Sequence, residues 1–363
     1  MTHRAPGTPG RGLLAEAKDA VTPRAFLLVC GVGLLQLAFI ASYIGAFHRP
    51  SPHQIPVSVT APAVAAPRAV AQLNALPGRP LAATLVPDAA AGIAKLRDRS
   101  SYGLLEVSAT SITDHLTVAS AAGTSTADAV ISTLQAVDAR SSRTLIVRDI
   151  APPAPGDHNG LSAFYLAIGW MIGGYLAASM LGVSAGARSL TLNRVTIRLA
   201  ALAVYAVVTS LLGVLIVGPW LHALPSDILG LWGLGILVIF SAAAFTTALM
   251  TVAGIIGIGL AIILFVIVGN PSAGGAYGWP LLPGFWAAVG PWLPPGAATD
   301  AIRGAVYFGN AAITRDLLVL GGYALAGLVV SYLVLMLAGR RPGGLPVRVA
   351  ERTRPARPSH GST

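Results

Sequence analysis

The most restrictive feature of this sequence is a set of six long apolar runs that contain almost no charged side chains. The runs cover residues 25–47, 161–183, 199–221, 229–250, 253–269 and 317–338. A helix rises about 1.5 Å per residue, so roughly 20 apolar residues cross the hydrocarbon core of a bilayer. Charged residues make up only 10% of the chain, whereas a soluble domain carries about 25%. The sequence therefore predicts an α-helical integral membrane protein with six transmembrane helices and excludes an ordinary soluble enzyme.

Residues 48–160 differ in kind from these runs, because nine Arg or Lys and eight Asp or Glu side chains lie among them. Short strand-like stretches alternate there with helix-like stretches. The predicted strands are 55–62, 81–88, 102–110, 115–121 and 144–152, and the predicted helices are 68–76, 89–99 and 124–140. A segment of this length can bury its own core. We therefore expect an extracytoplasmic α/β domain inserted between transmembrane helices 1 and 2.

Arg and Lys are distributed unequally between the two sides that six spans would create. Thirteen lie before the first run, in the loop at 184–198 and in the tail at 339–363, whereas the short segments of the other side hold two. Cytoplasmic segments carry such an excess, and long translocated domains are exempt from the rule. Both termini are therefore predicted to be cytoplasmic, in a multi-pass protein of the plasma (inner) membrane. The basic N-terminal tail at 1–24 could form an elbow helix at 13–20 on the membrane surface.

The net charge of +10 is expected to meet the anionic lipid of the bilayer rather than nucleic acid. The sequence contains no G-x-x-x-x-G-K-[ST] phosphate-binding loop, no H-E-x-x-H zinc motif and no G-x-S-x-G nucleophile elbow. Cys30 is the one cysteine and lies in the first apolar run. We therefore expect no enzyme active site, no metal site and no cofactor on this chain.

The bundle predicted at 161–338 contains an unusual segment at 270–310, rich in proline, glycine and tryptophan. Non-helical backbone at membrane depth occurs only where it is buried in protein or lines a wet cavity. We therefore predict a re-entrant hairpin in the outer leaflet. Asp300 and Arg303, three residues apart on a short helix, could pair, either as a structural ion pair or as part of an extracellular gate. The residues assigned to this hairpin or gate are Trp286, Trp292, Pro294, Pro295, Asp300 and Arg303.

The segment NPSAGG…LLPGFWAAVGPWLPPGAATDAIRGAVYF resembles the region before the last helix of type-2 ABC exporter permeases. It looks closest to the YhgE/Pip (phage infection protein)-like branch, and the run AGIAKLRDRSSYGLLEVSATS is similar to a helix and strand of that group. The resemblance implies a homodimer or heterodimer that works with a separate cytoplasmic ATPase subunit, on which ATP binds. It also implies that the 185–198 loop couples to that subunit, through Arg188, Asn193, Arg194 and Arg198.

Two functions are consistent with these features. The first is a permease subunit of an exporter that moves an amphipathic or lipid-like substrate, with ATP hydrolysed elsewhere. The second is a non-transporting envelope protein whose extracytoplasmic domain binds a partner. Six spans exceed what an anchor needs, which favours the first.

Overall fold

The computed structural model describes residues 22–186, 191–225 and 227–339. The predicted elbow helix at 13–20, Arg188 and all but the first residue of the predicted tail at 339–363 lie outside them. The described chain begins with the long helix α1, Pro23–Phe47. The α/β domain follows, and a helical bundle comes after it.

The α/β domain is built on a five-stranded sheet with the order β2-β1-β3-β4-β5. The strands are β1 Ile55–Thr60, β2 Leu81–Leu85, β3 Gly103–Glu106, β4 Thr113–Val118 and β5 Thr144–Asp149. Strand β1 is parallel to β2 and β3, β4 is antiparallel to β3, and β5 is parallel to β4. The helices are α2 Ala66–Asn74, α3 Ala89–Arg97 and α4 Thr124–Arg140. All five predicted strands and all three predicted helices are present, most of them a few residues shorter than predicted.

Both faces of the sheet are covered by helices, which explains the apolar character of its central strands. Helices α2 and α4 cover one face, where Leu73 and Leu134 pack with Val57 of β1. Helix α3 covers the other face, where Leu96 packs on Leu104. Strand β5 lies at an edge of the sheet and is largely exposed.

The bundle contains long helices and the shorter elements of the hairpin segment, residues 270–310. The long helices are α5 Ser162–Ala185, α6 Leu192–Leu215, α7 Ile228–Ala253 and α11 Thr314–Gly339. A π-helical turn, Ile216–Trp220, continues α6, and a short helix α8, Ile256–Ile262, runs into a second π turn, Ile263–Val268. The hairpin segment holds α9 Gly284–Val289 and α10 Pro294–Tyr307, with single 3₁₀ turns at Trp279–Leu281 and Gly290–Trp292.

Five helices of the described chain are long and apolar enough to cross a membrane, by length and composition: Ala25–Phe47, Ser162–Ser184, Leu192–Trp220, Ile228–Ala253 and Thr314–Leu337. They coincide with five of the six predicted runs, as expected of an integral membrane protein. The remaining run, 253–269, is a shorter apolar helix at Ile256–Val268, about 20 Å long at the usual helical rise. Gly254, with φ of 64°, ends α7 and separates it from this shorter helix. The count of six spans therefore stays a prediction.

Helix α7 lies at the centre of the bundle, and α5, α6 and α11 pack around it. Close approach depends on two glycines. Gly174 of α5 lies against the carbonyl oxygen of Ile239, and Gly327 of α11 lies against the backbone of Ala244, so a methyl group at either glycine would overlap α7. Helix α1 lies at the periphery of the bundle, where most of its side chains are exposed and its C-terminal half contacts the π turn at Ile263–Val268.

Candidate functional site

The most enclosed element of the hairpin segment is α10. Pro294 and Pro295 occupy its first turn, where a missing N–H costs no helical hydrogen bond. Gly296 follows and packs against the carbonyl oxygen of Gly290, which leaves no room for a side chain. All residues from Pro294 to Thr299 are buried, and α10 contacts α5, α7 and α11. The sequence thus places a rigid helix among three others, and Asp300 follows its buried first half.

Asp300 joins the α/β domain to the last helix of the bundle. Arg99 Nη1 donates to Asp300 Oδ1 at 2.7 Å and to the Asp300 carbonyl oxygen at 2.9 Å. Arg315 Nη2 donates to Asp300 Oδ2 at 2.9 Å and to Asp316 Oδ1 at 2.7 Å. The side chain of Asp316 is fully buried, and that of Asp300 is 20% exposed. We call these four residues, Arg99, Asp300, Arg315 and Asp316, the junction cluster.

The predicted pairing of Asp300 with Arg303 is corrected by this arrangement. Asp300 takes Arg99 and Arg315 as its ion-pair partners. Arg303 instead donates from Nη1 to the carbonyl oxygen of Gly274 at 2.7 Å and from Nη2 to that of Gly275 at 3.3 Å. The turn at Gly274 and Gly275, near the start of the hairpin segment, needs donors for these carbonyl groups, because unpaired buried carbonyls are unfavourable. Arg303 therefore holds this turn against α10.

Arg99 occupies an unusual backbone conformation. It follows the last turn of α3 with φ of 56°, a left-handed position that glycine or asparagine normally fills. Its side chain is only 7% exposed. Besides Asp300, the guanidinium donates from Nη2 to the carbonyl oxygen of Ala311 at 3.0 Å and lies 5.9 Å from the ring centroid of Phe308. A buried arginine in a strained backbone is a marker of a constrained site.

A second polar contact ties the linker after β5 to α10. Tyr307 donates to Asp157 Oδ2 at 3.0 Å, and the backbone N–H of Ala154 donates to the Tyr307 hydroxyl at 3.3 Å. Asp157 Oδ1 accepts from the N–H of Ser162, the first residue of α5. Burial raises the pKa of Tyr307 above its ordinary value, so the phenol stays protonated and donates. The Asp157 carboxylate thus connects α10 to the start of α5.

The domain also packs directly on the hairpin segment. Leu281 is buried in the core of the α/β domain, and its carbonyl oxygen accepts from the N–H of Ser51. The N–H of Gly278 lies 3.3 Å from Ser125 Oγ of α4. Near the junction cluster, burial raises the pKa of Tyr102 to about 12, and the charge of Asp300 adds to the shift. The α/β domain and the hairpin therefore share a core and a polar cluster.

The two predicted hairpin tryptophans have different surroundings. Trp286 of α9 packs against α1, where its Nε1 donates to Ser42 Oγ at 3.2 Å and its ring lies against Gly45. Trp292 is 63% exposed at the end of a 3₁₀ turn. Trp286 therefore attaches α1 to the hairpin, whereas Trp292 is open to the surroundings.

Three of the four predicted coupling residues, Asn193, Arg194 and Arg198, lie on a helix rather than in a loop, which corrects the predicted boundary at 198. The fourth, Arg188, lies outside the described residues. Helix α5 extends to Ala185 and α6 begins at Leu192, because the Thr191 side chain accepts from the N–H of Arg194 and caps the helix. Asn193 and Arg194 lie in the first turn of α6, and Arg194 is exposed. Arg198, in the second turn, donates to the carbonyl oxygen of Gly186 at 2.8 Å.

The structure brings together Asp300 and three residues that sequence reasoning missed: Arg99, Arg315 and Asp316. Ionisable residues within a transmembrane segment are a general signal of function. Arg315 and Asp316 carry that signal, since helix α11 starts at Thr314 rather than at the predicted 317. Arg99 carries no comparable signal, because it lies among other charged residues at the end of α3.

Comparison with protein-family models, with curated proteins and with solved structures gives no match. In the part of the chain that the structure describes, no group of three or more His, Cys, Asp or Glu side chains is placed to hold a metal ion.

Proposed function

We propose that this chain is the membrane permease subunit of a type-2 ABC-like exporter that moves an amphipathic or lipid-like substrate. In this proposal six helices cross the plasma membrane, with α8 and its π turn as the fifth, and both termini are cytoplasmic. The permease works as a homodimer or heterodimer, and a separate cytoplasmic subunit binds and hydrolyses ATP. The chain itself has no catalytic role.

The junction cluster is the observation that carries the proposal. Arg99 of the α/β domain and Arg315 of α11 hold the same carboxylate, Asp300 of α10. A displacement of α11 therefore acts on the α/β domain through α10. An anchor that only displays a domain needs no such connection, whereas an exporter needs one to change its extracytoplasmic face as the bundle moves.

At the opposite end of α11 from the junction cluster, this helix contacts α6. Thr196, two residues after Arg194, contacts the Tyr332 hydroxyl of α11 at 2.8 Å. Helix α11 thus connects the N-terminal turns of α6 with the junction cluster, 17 residues away from Tyr332. Force applied by an ATPase subunit at Arg194 would have a direct path to Asp300.

The test is purification of the tagged full-length chain from its native membranes after mild cross-linking. We expect vanadate-sensitive ATP hydrolysis to accompany the wild type and to be lost with Arg194→Glu. Arg148→Glu is the matched control, because Arg148 is also exposed but lies on β5 of the α/β domain. Purification of the cross-linked wild type without any ATPase subunit would refute the proposal.

One observation favours the alternative of a non-transporting envelope protein. The outer edge of β5 has no strand partner within the described residues, and Ile146 and Val147 are 49% and 36% exposed. Such an edge can accept a strand from a partner protein. If the α/β domain on a single-span anchor restored the phenotype of a deletion strain, this alternative would replace the exporter.

A further inference from the structure

A groove of about 740 Å³ runs along α11 on the surface of the bundle, next to the junction cluster. Its walls are aromatic and aliphatic. Trp292, Leu318 and Ala326 line it, together with Phe245 and Tyr323, which form an edge-to-face pair with ring centroids 4.9 Å apart. From Arg315 to Ala326 the groove follows about 16 Å of helix. Its volume is within the range of ligand pockets, roughly 300–1,000 Å³.

Among the described residues that line this groove, Arg315 is the charged one. The carboxylates that pair with Arg315 lie behind it, since Asp316 is fully buried and Asp300 is 20% exposed while Arg315 is 39% exposed. Arg315 uses Nε and Nη2 for these carboxylates, and within the described residues its Nη1 donates no hydrogen bond. A ligand in the groove therefore meets a guanidinium group with free donors.

The charges of Arg99 and Arg315 are balanced by those of Asp300 and Asp316, so the junction cluster is neutral as a whole. Arg315 is the member of the cluster that lines the groove, and it presents a positive guanidinium there. The ring of Trp279 lies 5.1 Å from the Arg315 guanidinium and fixes its position. A planar guanidinium held in this way binds phosphate or carboxylate oxygens well.

We infer that this groove binds an acidic phospholipid, with the phosphate on Arg315 Nη1 and an acyl chain along Leu318, Gly322 and Ala326. The inference rests on the proposed function and deepens it, because it names the amphipathic substrate as an anionic lipid. Phosphatidylcholine also carries a phosphate, but its choline cation offsets that charge beside the guanidinium, whereas the phosphate of an acidic lipid is left to pair with Arg315.

The experiment uses the full-length protein in phosphatidylcholine nanodiscs, without ATP or any ATPase subunit. The probes are phosphatidylglycerol and phosphatidylcholine with brominated acyl chains, which quench nearby tryptophan. The signal of Trp292 is obtained as the difference between the wild type and Trp292→Phe. We expect brominated phosphatidylglycerol to quench Trp292 at least threefold more than brominated phosphatidylcholine at equal mole fraction.

Two pairs of variants locate the site. Gly322→Leu should fill the groove and remove the preference, whereas Gly321→Leu, on the same helix with equal free space but outside the groove, should keep it. Arg315→Gln should abolish the preference and Arg148→Gln should not. Because Arg315→Gln alters the junction cluster, the Gly322 pair tests the groove without it.

Equal quenching by the two lipids, or a preference that survives Gly322→Leu, would overturn the inference. A change of oligomeric mass in Gly322→Leu alone would also overturn it, by showing that a second copy of the chain occupies the groove. The quenching is measured without ATP or an ATPase subunit. A lipid preference can therefore be absent although an ATPase subunit co-purifies, and it can be present although none does.

Discussion

Arg99 and Asp300 lie 201 residues apart in the sequence and form an ion pair of 2.7 Å, with the arginine side chain 7% exposed. The same guanidinium binds the carbonyl oxygen of Ala311 just before α11. One side chain of the α/β domain thus contacts both α10 and the segment that connects α10 to α11.

Replacing Arg99 should separate the cost of the side chain from the cost of its backbone. Arg99→Ala removes the ion pair and keeps the left-handed backbone, so we expect the free energy of unfolding to fall by about 3 kcal/mol. Arg99→Gly removes the same contacts but relieves the backbone, and should be about 1 kcal/mol less destabilising. Thermal unfolding of the detergent-solubilised protein measures both. If the two variants were equally unstable, the left-handed backbone would carry no cost.

A double-mutant cycle should show which arginine is coupled to Asp300. We expect Asp300→Asn and Arg99→Gln to be coupled by 1–3 kcal/mol, about the range for contacting charged groups. Asp300→Asn and Arg303→Gln should be coupled by much less, because Arg303 binds the carbonyls of Gly274 and Gly275. Stronger coupling to Arg303 would restore the pairing predicted from the sequence.

Gly296 should be intolerant of a methyl group. A Cβ atom there would overlap the carbonyl oxygen of Gly290, so Gly296→Ala should destabilise the protein by about 1–3 kcal/mol. Gly284→Ala, at the start of α9, meets no atom within 4 Å and should be neutral. Hydrogen exchange of the peptides from α10 measures the difference. Unchanged protection in Gly296→Ala would show that α10 can shift at no cost.

The secondary structure was largely predictable because it depends on local patterns. Apolar runs marked the long helices, and alternating stretches marked the strands. The predicted run at 253–269 is a few residues longer than the helix at Ile256–Val268, because Ala253 belongs to α7, and Gly254 and Gly269 do not interrupt an apolar run although they lie outside the helix. The loop was predicted to extend to 198 because Arg194 and Arg198 interrupt the apolar run. Helix α6 nevertheless begins at Leu192, where Thr191 is a good N-cap residue.

The site was less predictable because its contacts are between distant segments. Nothing in the sequence relates the end of α3 to α10, so Arg99 could not be connected with Asp300. The spacing of Asp300 and Arg303 suggested a local pair, but a helix in tertiary structure can direct each side chain to a different neighbour. The turn at Gly274 and Gly275, which takes Arg303, is irregular and leaves no periodic signal.

The pH dependence of the α/β domain should be altered by Asp138 of α4. Asp138 is 5% exposed and its Oδ2 has no hydrogen-bond partner within the described residues. Burial and, secondarily, the charge of Asp114 raise the pKa of Asp138 above its ordinary value. A carboxyl group whose pKa is raised on folding destabilises the folded state progressively as the pH rises from its unfolded-state pKa through its folded-state pKa.

Asp138→Asn should therefore stabilise the α/β domain at pH 7, by about 1 kcal/mol, and have a smaller effect near the ordinary pKa of an aspartate. Asp128→Asn is the matched control, since Asp128 lies on the same helix but is exposed. Denaturant titrations of the full-length protein at pH 4 and pH 7, followed by hydrogen exchange in α4, measure both variants. A stabilisation of equal size at both pH values would mean that the Asp138 charge is not its source.

The proposed sidedness makes a prediction for thiol labelling in intact cells. In a Cys30→Ser background, a thiol introduced by Asp128→Cys should react with a membrane-impermeant maleimide, because this exposed position of α4 would be extracytoplasmic. A thiol introduced by Leu345→Cys, in the basic tail, should react only after the cells are permeabilised. Both variants carry one thiol, so differences in reactivity are normalised by labelling after permeabilisation. Labelling of Leu345→Cys but not Asp128→Cys in intact cells would reverse the orientation, and the basic turns of α6 would then lie on the wrong side for an ATPase subunit.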